Sequence, residues 1–290
     1  MTNAFGDIEM DAVPRIYGAS ELGVLAITAP GDAHPRVQYV GGELFVGLTN
    51  TSTGTAVTQG QVEAWADPFT DAVAAAVASA GAVPAPVDGL ILIEDEVLAA
   101  SVLVDPTRIA TAGLSGDPVL IALSRDRVAI VGVEDEAAFG RVLDLADELY
   151  DAGGPLVSAH PVAVADGQWA RFNPIARFPA LEMRVQRVLR LFSVRAYEAQ
   201  SAALQRPDVH LIDPKIRVLE TGVTTTFATW PKGTASLLPV VDNVIVADPS
   251  GAISFASMDQ FLDAAGDAVV RTGLSPVRYF IPGEAPAQSE

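Results

Sequence analysis

The sequence contains no cysteine. Disulfides, zinc–thiolate sites, iron–sulfur clusters and cysteine nucleophiles are therefore excluded, and a reducing cytoplasm is the expected location. Histidine is scarce. His34, His160 and His210 stand far apart and give neither H-E-x-x-H nor another local metal spacing. Lysine occurs only at Lys215 and Lys232; every other basic residue is arginine. Long hydrophobic runs are lacking as well. The longest apolar stretch, residues 89–104, is broken by Glu94, Asp95 and Glu96, so no membrane span is expected. The first nine residues show neither the basic nor the apolar segment of a signal peptide, and none is expected. No glycine-rich phosphate loop precedes a helix in either the G-x-G-x-x-G or the Walker A pattern. No cofactor and no metal are expected.

What is present is a chain of 290 residues, half of them hydrophobic, which suffices for one large or two ordinary domains. Acidic residues outnumber basic ones 36 to 18, and the excess is uneven. Residues 1–170 hold 24 of the acidic and only 6 of the basic residues, while residues 171–290 hold 12 of each. The net charge of −18 thus sits in the first part. Two regions with different surfaces are implied: an acidic domain over 1–172 and a second domain over 173–290. The acidic field argues against nucleic acid as a ligand of the first.

Residues 118–154 are the clearest structural unit. Two apolar runs, 119–123 and 128–133, flank a polar break and predict an antiparallel hairpin. Neither run alternates, so both faces of the sheet should be covered. Glu134, Asp135 and Glu136 open a helix at its positive end. Phe139, Val142, Leu143, Ala146 and Leu149 give that helix one apolar face, and Gly153, Gly154 and Pro155 stop it. The pattern returns at 243–247, 252–255 and 258–269, across a Pro249–Gly251 turn. A third version runs through 37–40, Gly41, Gly42, 44–48 and a helix near 68–80. The expected fold is α+β: β-hairpin–helix units with mainly antiparallel sheet. Such units arise as a true repeat or as a common local solution.

Elsewhere, residues 1–20 read as an irregular lead-in, 22–28 as a strand, and 282–290 as a loose tail. Residues 90–104 fit two strands around an acidic turn, or a strand followed by a buried helix. Trp169, Phe172, Phe178 and neighbouring prolines form an aromatic connector. Leu181, Val185, Val188, Phe192, Ala196, Ala199 and Ala203 mark the clearest amphipathic helix. Strands follow at 209–212, 216–219, 224–229, 237–246 and 277–281.

Arg184, Arg187, Arg190 and Arg195 lie off the apolar stripe of that helix and are the candidate binding residues. Guanidinium groups could hold phosphate or nucleic acid. Meeting the acidic region of the same chain, or of a second copy, needs no further ligand and is favoured. Residues 113–117, Gly-Leu-Ser-Gly-Asp, resemble half of a nucleophile elbow around Ser115, but a proline and a strand follow where the motif needs a helix. Asp208 and His210 would share one strand face, with Asp213 pointing away, and two ligands do not complete a zinc site. The acidic triplets at 94–96 and 134–136 lack the spacing of a calcium loop and read as turns or helix starts.

Residues 88–172 resemble an uncharacterised bacterial family, the YtpQ type. The similarity is carried by residues 88–92, by 99–105, by the strand from Gly116 to Asp126 that ends in Ser-Arg-Asp, and by Asp166 to Phe172. Leu123 stands where the family pattern has proline. The family has no established activity, so no catalytic residues carry over. With no catalytic set, the expected function is a binding or adaptor role through protein partners or self-association. The alternative is a hydrolase built on Ser115, His160 or His210 with a nearby aspartate.

Overall fold

A computed structural model of the chain describes residues 12–109 and 113–283. The expected lead-in and tail fall largely outside the described residues. The protein is α+β, with antiparallel pairing dominant in its four described sheets. It divides into two units, Met1–Val188 and Leu189–Glu290.

The first unit opens with β1 (Ala12–Gly18) and α1 (Ala19–Thr28), followed by β2 (Val37–Gly41) and β3 (Leu44–Asn50). The sequence places a strand at 22–28; the structure has a helix there and a strand before it. The apolar run is too short for its period to separate the two. Glu21 sits in the helix's first turn and binds Arg15 at 2.6 Å and Arg125 at 2.7 Å. Pro14 obscures β1 in the sequence. It is accommodated because β1 is an edge of the sheet β1-β3-β2, where a missing N–H can face away from the ladder.

Next come α2 (Gln59–Val62), α3 (Phe69–Val77), β4 (Leu90–Ile93) and α4 (Glu96–Val104). Thr58 and Gln61 form a capping box on α2. α4 settles the ambiguity over 90–104 in favour of a strand and then a helix. Asp95 caps it, accepting from Leu98 N at 2.7 Å. Leu98, Ala99, Ala100, Ser101, Val102 and Leu103 are all buried, so the helix has no polar face to betray its period.

The predicted hairpin forms as β5 (Pro118–Ala122) and β6 (Val128–Gly132), and its helix as α5 (Glu136–Asp151). β7 (Val162–Ala165) and β8 (Gln168–Arg171) complete the sheet β4-β6-β5-β7-β8. Every residue of β6 is buried. Leu120, Ala122, Val128 and Ile130 enter the core with α3, α4 and the first sheet, and α5 packs against β6 and β4. Each Val, Leu, Ile or Phe side chain taken fully from water contributes ~1.5–3 kcal/mol. Trp169, expected in a connector, is instead a buried residue of β8. Its indole N–H lies 3.1 Å from Leu103 O and 3.3 Å from Val102 O. The short helix α6 (Pro174–Arg177) and Phe178 follow; the Phe178 ring lies 5.3 Å from that of Phe139.

The amphipathic pattern forms α7 (Glu182–Leu204), and the division between units falls inside it. The second unit adds β9 (His210–Leu211), β10 (Lys215–Val218), β11 (Thr224–Pro231), β12 (Ser236–Pro239), β13 (Asn243–Ala247), β14 (Ile253–Ser257), α8 (Met258–Ala265), β15 (Val270–Arg271) and β16 (Arg278–Ile281). The single strand expected over 237–246 is two strands in different sheets, β15-β16-β12-β9 and β10-β11-β13-β14. The break falls at Val240–Asp242, where Asp242 accepts from Thr226 N and Oγ1 at 2.7 and 2.8 Å.

The core of this unit joins Ile212, Leu238 and Ile281 with Ala228, Val244, Met258 and Phe261. Beside it lies Arg278, with no solvent exposure. Its guanidinium donates to Gln200 Oε1 (2.6 Å), Ile212 O (2.6 Å), Leu237 O (3.2 Å), Tyr197 O (3.1 Å), Ser201 Oγ (2.7 Å) and Asp213 Oδ1 (3.4 Å). Burial lowers its pKa, and Asp213 acts the other way. Burial likewise raises the pKa of Tyr197, whose hydroxyl donates to Val277 O at 2.6 Å and accepts from Val240 N at 3.0 Å.

Candidate interaction surface

Register assigns the two faces of the sheet β10-β11-β13-β14. Ile245 stands opposite Thr229 on one side and Phe255 on the other. Ala247 stands opposite Pro231 and Ile253, and Asn243 opposite Phe227 and Ser257. Directly opposed residues share a face. One face therefore carries Phe227, Ile245, Ile253 and Phe255, with Lys215 and Arg217 at its β10 margin. The opposite face carries Ala228, Trp230, Val244, Val246 and Ala256 into the core, where the rings of Trp230 and Phe261 meet edge to face at 5.8 Å.

The two faces of β14 differ in side-chain size. Ala256 packs against the core on the side of α8, and Ser254 shares that side by register but stays exposed. The strand's large apolar residues point outward: Phe255 is 74% and Ile253 63% exposed. The small Ala256 sits beside Met258 and Phe261 of the helix, and the bulky pair is left in solvent. An apolar pair at such exposure, next to half-buried Phe227 and Ile245, is the kind of patch that marks a contact surface. Sequence reasoning took residues 252–255 as the return strand of a hairpin without assigning its faces, and so missed the patch. The alternation Ile-Ser-Phe-Ala was the available signal, and its polarity could be assigned only with α8 in place.

The four candidate arginines are engaged within their own units. In the first, Arg184 donates to Asp144 Oδ1 at 2.5 Å and Gly140 O at 2.7 Å, and Arg187 pairs with Asp147 at 3.1 Å. In the second, Arg190 binds Asp242 through two parallel bonds of 2.7 and 2.8 Å. Arg195 lies 3.9 Å from Glu198, one turn along α7. Burial would raise the Asp242 pKa, but the bonds from Arg190 and Thr226 outweigh it and bring it to about 2.

The structure does not bring Ser115 and His160 together. Ser115 O accepts from Glu134 N at 3.1 Å, ahead of the first residue of β5. His160 lies beyond the other end, where Ser158 N donates to Ala122 O at 3.0 Å. β5 separates the two by about 13 Å of strand. His160 Nε2 lies 3.8 Å from Glu43 instead. Both ring nitrogens of His34 face backbone carbonyls, Pro35 O at 3.1 Å and Leu22 O at 3.2 Å. The Asp208 carboxylate is bound by Arg206 at 2.5 and 2.7 Å, which, as the largest cause, lowers its pKa to about 2. Asp213 accepts from Ser201 Oγ.

The acidic triplets start helices: Asp135 caps α5 as Asp95 caps α4, accepting from Ala138 N at 2.8 Å. Among the described residues no group of three or more His, Asp or Glu could hold a metal, and no helix is long and apolar enough to cross a membrane. A cavity of about 390 Å³ is lined by Pro106, Ile109, Leu114, Pro118 and Val164, with Thr107 and Asp117 as polar side chains. No family model, no curated protein and no solved structure matches the chain.

Proposed function

We propose that this chain is a non-enzymatic binding protein that works through protein–protein contact, with the open face of the second unit's sheet as its docking surface. The observation that carries this reading is strand β14, which keeps Ile253 and Phe255 in solvent while Ala256 faces the core. Burying such a pair at an interface contributes ~1.5–3 kcal/mol per side chain, and Lys215 and Arg217 supply a polar margin on the same face. The engagement of the arginines and of Asp208 and Asp213 supports the same reading, because ion pairs and hydrogen bonds already occupy these side chains. The absence of cysteine suits a reducing bacterial cytoplasm. The YtpQ-type resemblance of residues 88–172 adds no activity to this reading.

The test is site-specific photocrosslinking in the native host, with p-benzoylphenylalanine replacing Phe255 and, as a control, Ser52, which is exposed in the first unit. A discrete protein adduct from position 255 and none from position 52 supports the reading. No adduct from position 255 overturns it.

A further inference from the structure

We propose that the partner is a second copy of the same chain, paired antiparallel along the β14 edge of this sheet about a two-fold axis at Ser254, with Ile253 and Phe255 at the seam. The inference rests on the binding role proposed above and names its partner.

β14 is the outer strand of its sheet. Ala252 O accepts from Asp248 N at 2.9 Å, and Met258 N donates to Asp242 O at 3.1 Å. In an antiparallel ladder such bonding residues alternate. Residues 252, 254, 256 and 258 therefore turn their backbone groups toward β13, and 253, 255 and 257 turn theirs outward. Ser257 N is already occupied, donating to Gln260 Oε1 at 3.1 Å. Ile253 and Phe255 thus expose both their apolar side chains and their outward N–H and C=O groups.

Natural edge strands are guarded by charge, proline or bulges. The opposite edge of this sheet, β10, carries Lys215 and Arg217. The β2 edge of the first sheet is broken by a bulge between Tyr39 and Gly41. β14 has none of these devices, and no charged residue lies between Asp248 and Asp259. For a chain of net charge −18, a neutral strip is where a second copy meets least repulsion.

The register follows from counting backbone groups. Pairing Phe255 with its own symmetry mate would form one bonded pair and leave Ile253 opposite the already engaged Ser257. Pairing Ile253 with Phe255 of the other copy forms two bonded pairs, each exchanging two hydrogen bonds, and uses every outward group of both residues. It also sets Ile253 and Phe255 across from each other on the open face. Ser254 then faces its own mate in a non-bonded position, where Cα atoms stand about 4.5 Å apart. That spacing lies within reach of a disulfide.

The cysteine-free chain makes this directly testable. The full chain is studied by sedimentation velocity as wild type, Phe255→Lys and Thr229→Lys, the last lying on the same face but two strands from the edge. Ser254→Cys is oxidised and run on a non-reducing gel. The expected result is a dimer for wild type and Thr229→Lys, a monomer for Phe255→Lys with unchanged circular dichroism, and a disulfide-linked dimer for Ser254→Cys. A monomeric wild type at the highest soluble concentration overturns the proposal. So does a dimer in which Ser254→Cys fails to crosslink, because the edge or register would be different. A monomeric chain whose position-255 photoadduct contains another protein overturns self-association while leaving the binding role intact. No adduct of any kind removes both.

Discussion

Arg278 and Asp213 form an ion pair in which one partner is wholly buried: the guanidinium has no exposure, and Asp213 Oδ1 lies 3.4 Å from it. Four further acceptors surround the same guanidinium through backbone and side-chain oxygens of Tyr197, Gln200, Ile212 and Leu237, and Ser201 bridges it to Asp213. Replacing one partner of such a network leaves the others desolvated and unpaired. Arg278→Ala is expected to destabilise the second unit by ~3–5 kcal/mol. Asp213→Asn keeps a bonding side chain and should cost less, about 1–2 kcal/mol. Urea unfolding followed by circular dichroism and by Trp230 fluorescence, in a background with Trp65 and Trp169 replaced by Phe, measures both. A loss under 1 kcal/mol for Arg278→Ala would show that the network contributes little.

Arg184 and Arg187 should behave differently. Of their partners, Asp144 is open to solvent, with a side-chain exposure of 66%, and Asp147 is one-third exposed. Exposed pairs contribute ~0.2–1 kcal/mol and weaken with salt. Arg184→Ala and Arg187→Ala are each expected to lower stability by less than about 1 kcal/mol. Most of that difference should vanish when thermal unfolding is repeated at high salt. A large, salt-independent loss would mean that the arginine stems pack against apolar neighbours.

The reach of the sequence depended on what each residue had to face. The β5–β6 hairpin, α5 and α7 were legible because their apolar periods and their caps agree. α1 and β1 were not: seven apolar and small residues carry no period, and Pro14 masks a strand that tolerates it only as an edge. Arg278 stood out in the sequence only as one position of the strand expected over 277–281, since nothing local announces that six acceptors from distant segments converge on it. β14 was legible as a strand but not in its sense. Which of its faces is buried depends on how α8, which follows it directly, folds back onto the sheet, and the candidate surface is the consequence.

Gly41 is fixed by a close approach. It adopts φ of +141°, and a Cβ there would fall 2.3 Å from Trp169 O. Gly41→Ala therefore combines backbone strain with a collision against the β8 backbone. A destabilisation of ~2 kcal/mol or more is expected. Trp169 fluorescence, in a background with Trp65 and Trp230 replaced by Phe, should report the displacement, because its indole N–H bonds α4 carbonyls at 3.1 and 3.3 Å. An unchanged emission maximum together with unchanged stability would show that the hairpin tip yields without cost.

Asp242 gives the chain an acid-sensitive joint. Burial works against its charged form, yet the Arg190 pair and the Thr226 bonds hold its pKa at about 2, below the ordinary 3.8. A carboxyl depressed on folding adds stability that is complete above its unfolded pKa and is lost as pH falls through the folded one. The loss should therefore run from pH about 4 down to about 2. Asp242 is one-third exposed, so solvent screening limits its contribution to ~1–2 kcal/mol near neutrality. Asp242→Asn is expected to lower stability at pH 7 by that amount and to flatten the acid limb between pH 4 and 2. Arg190→Ala should reproduce the neutral-pH loss but keep part of the acid limb, because the bonds from Thr226 remain. Urea midpoints for wild type and both variants across pH 2–7 decide the matter. Parallel acid limbs in wild type and Asp242→Asn would assign the sensitivity to other carboxylates.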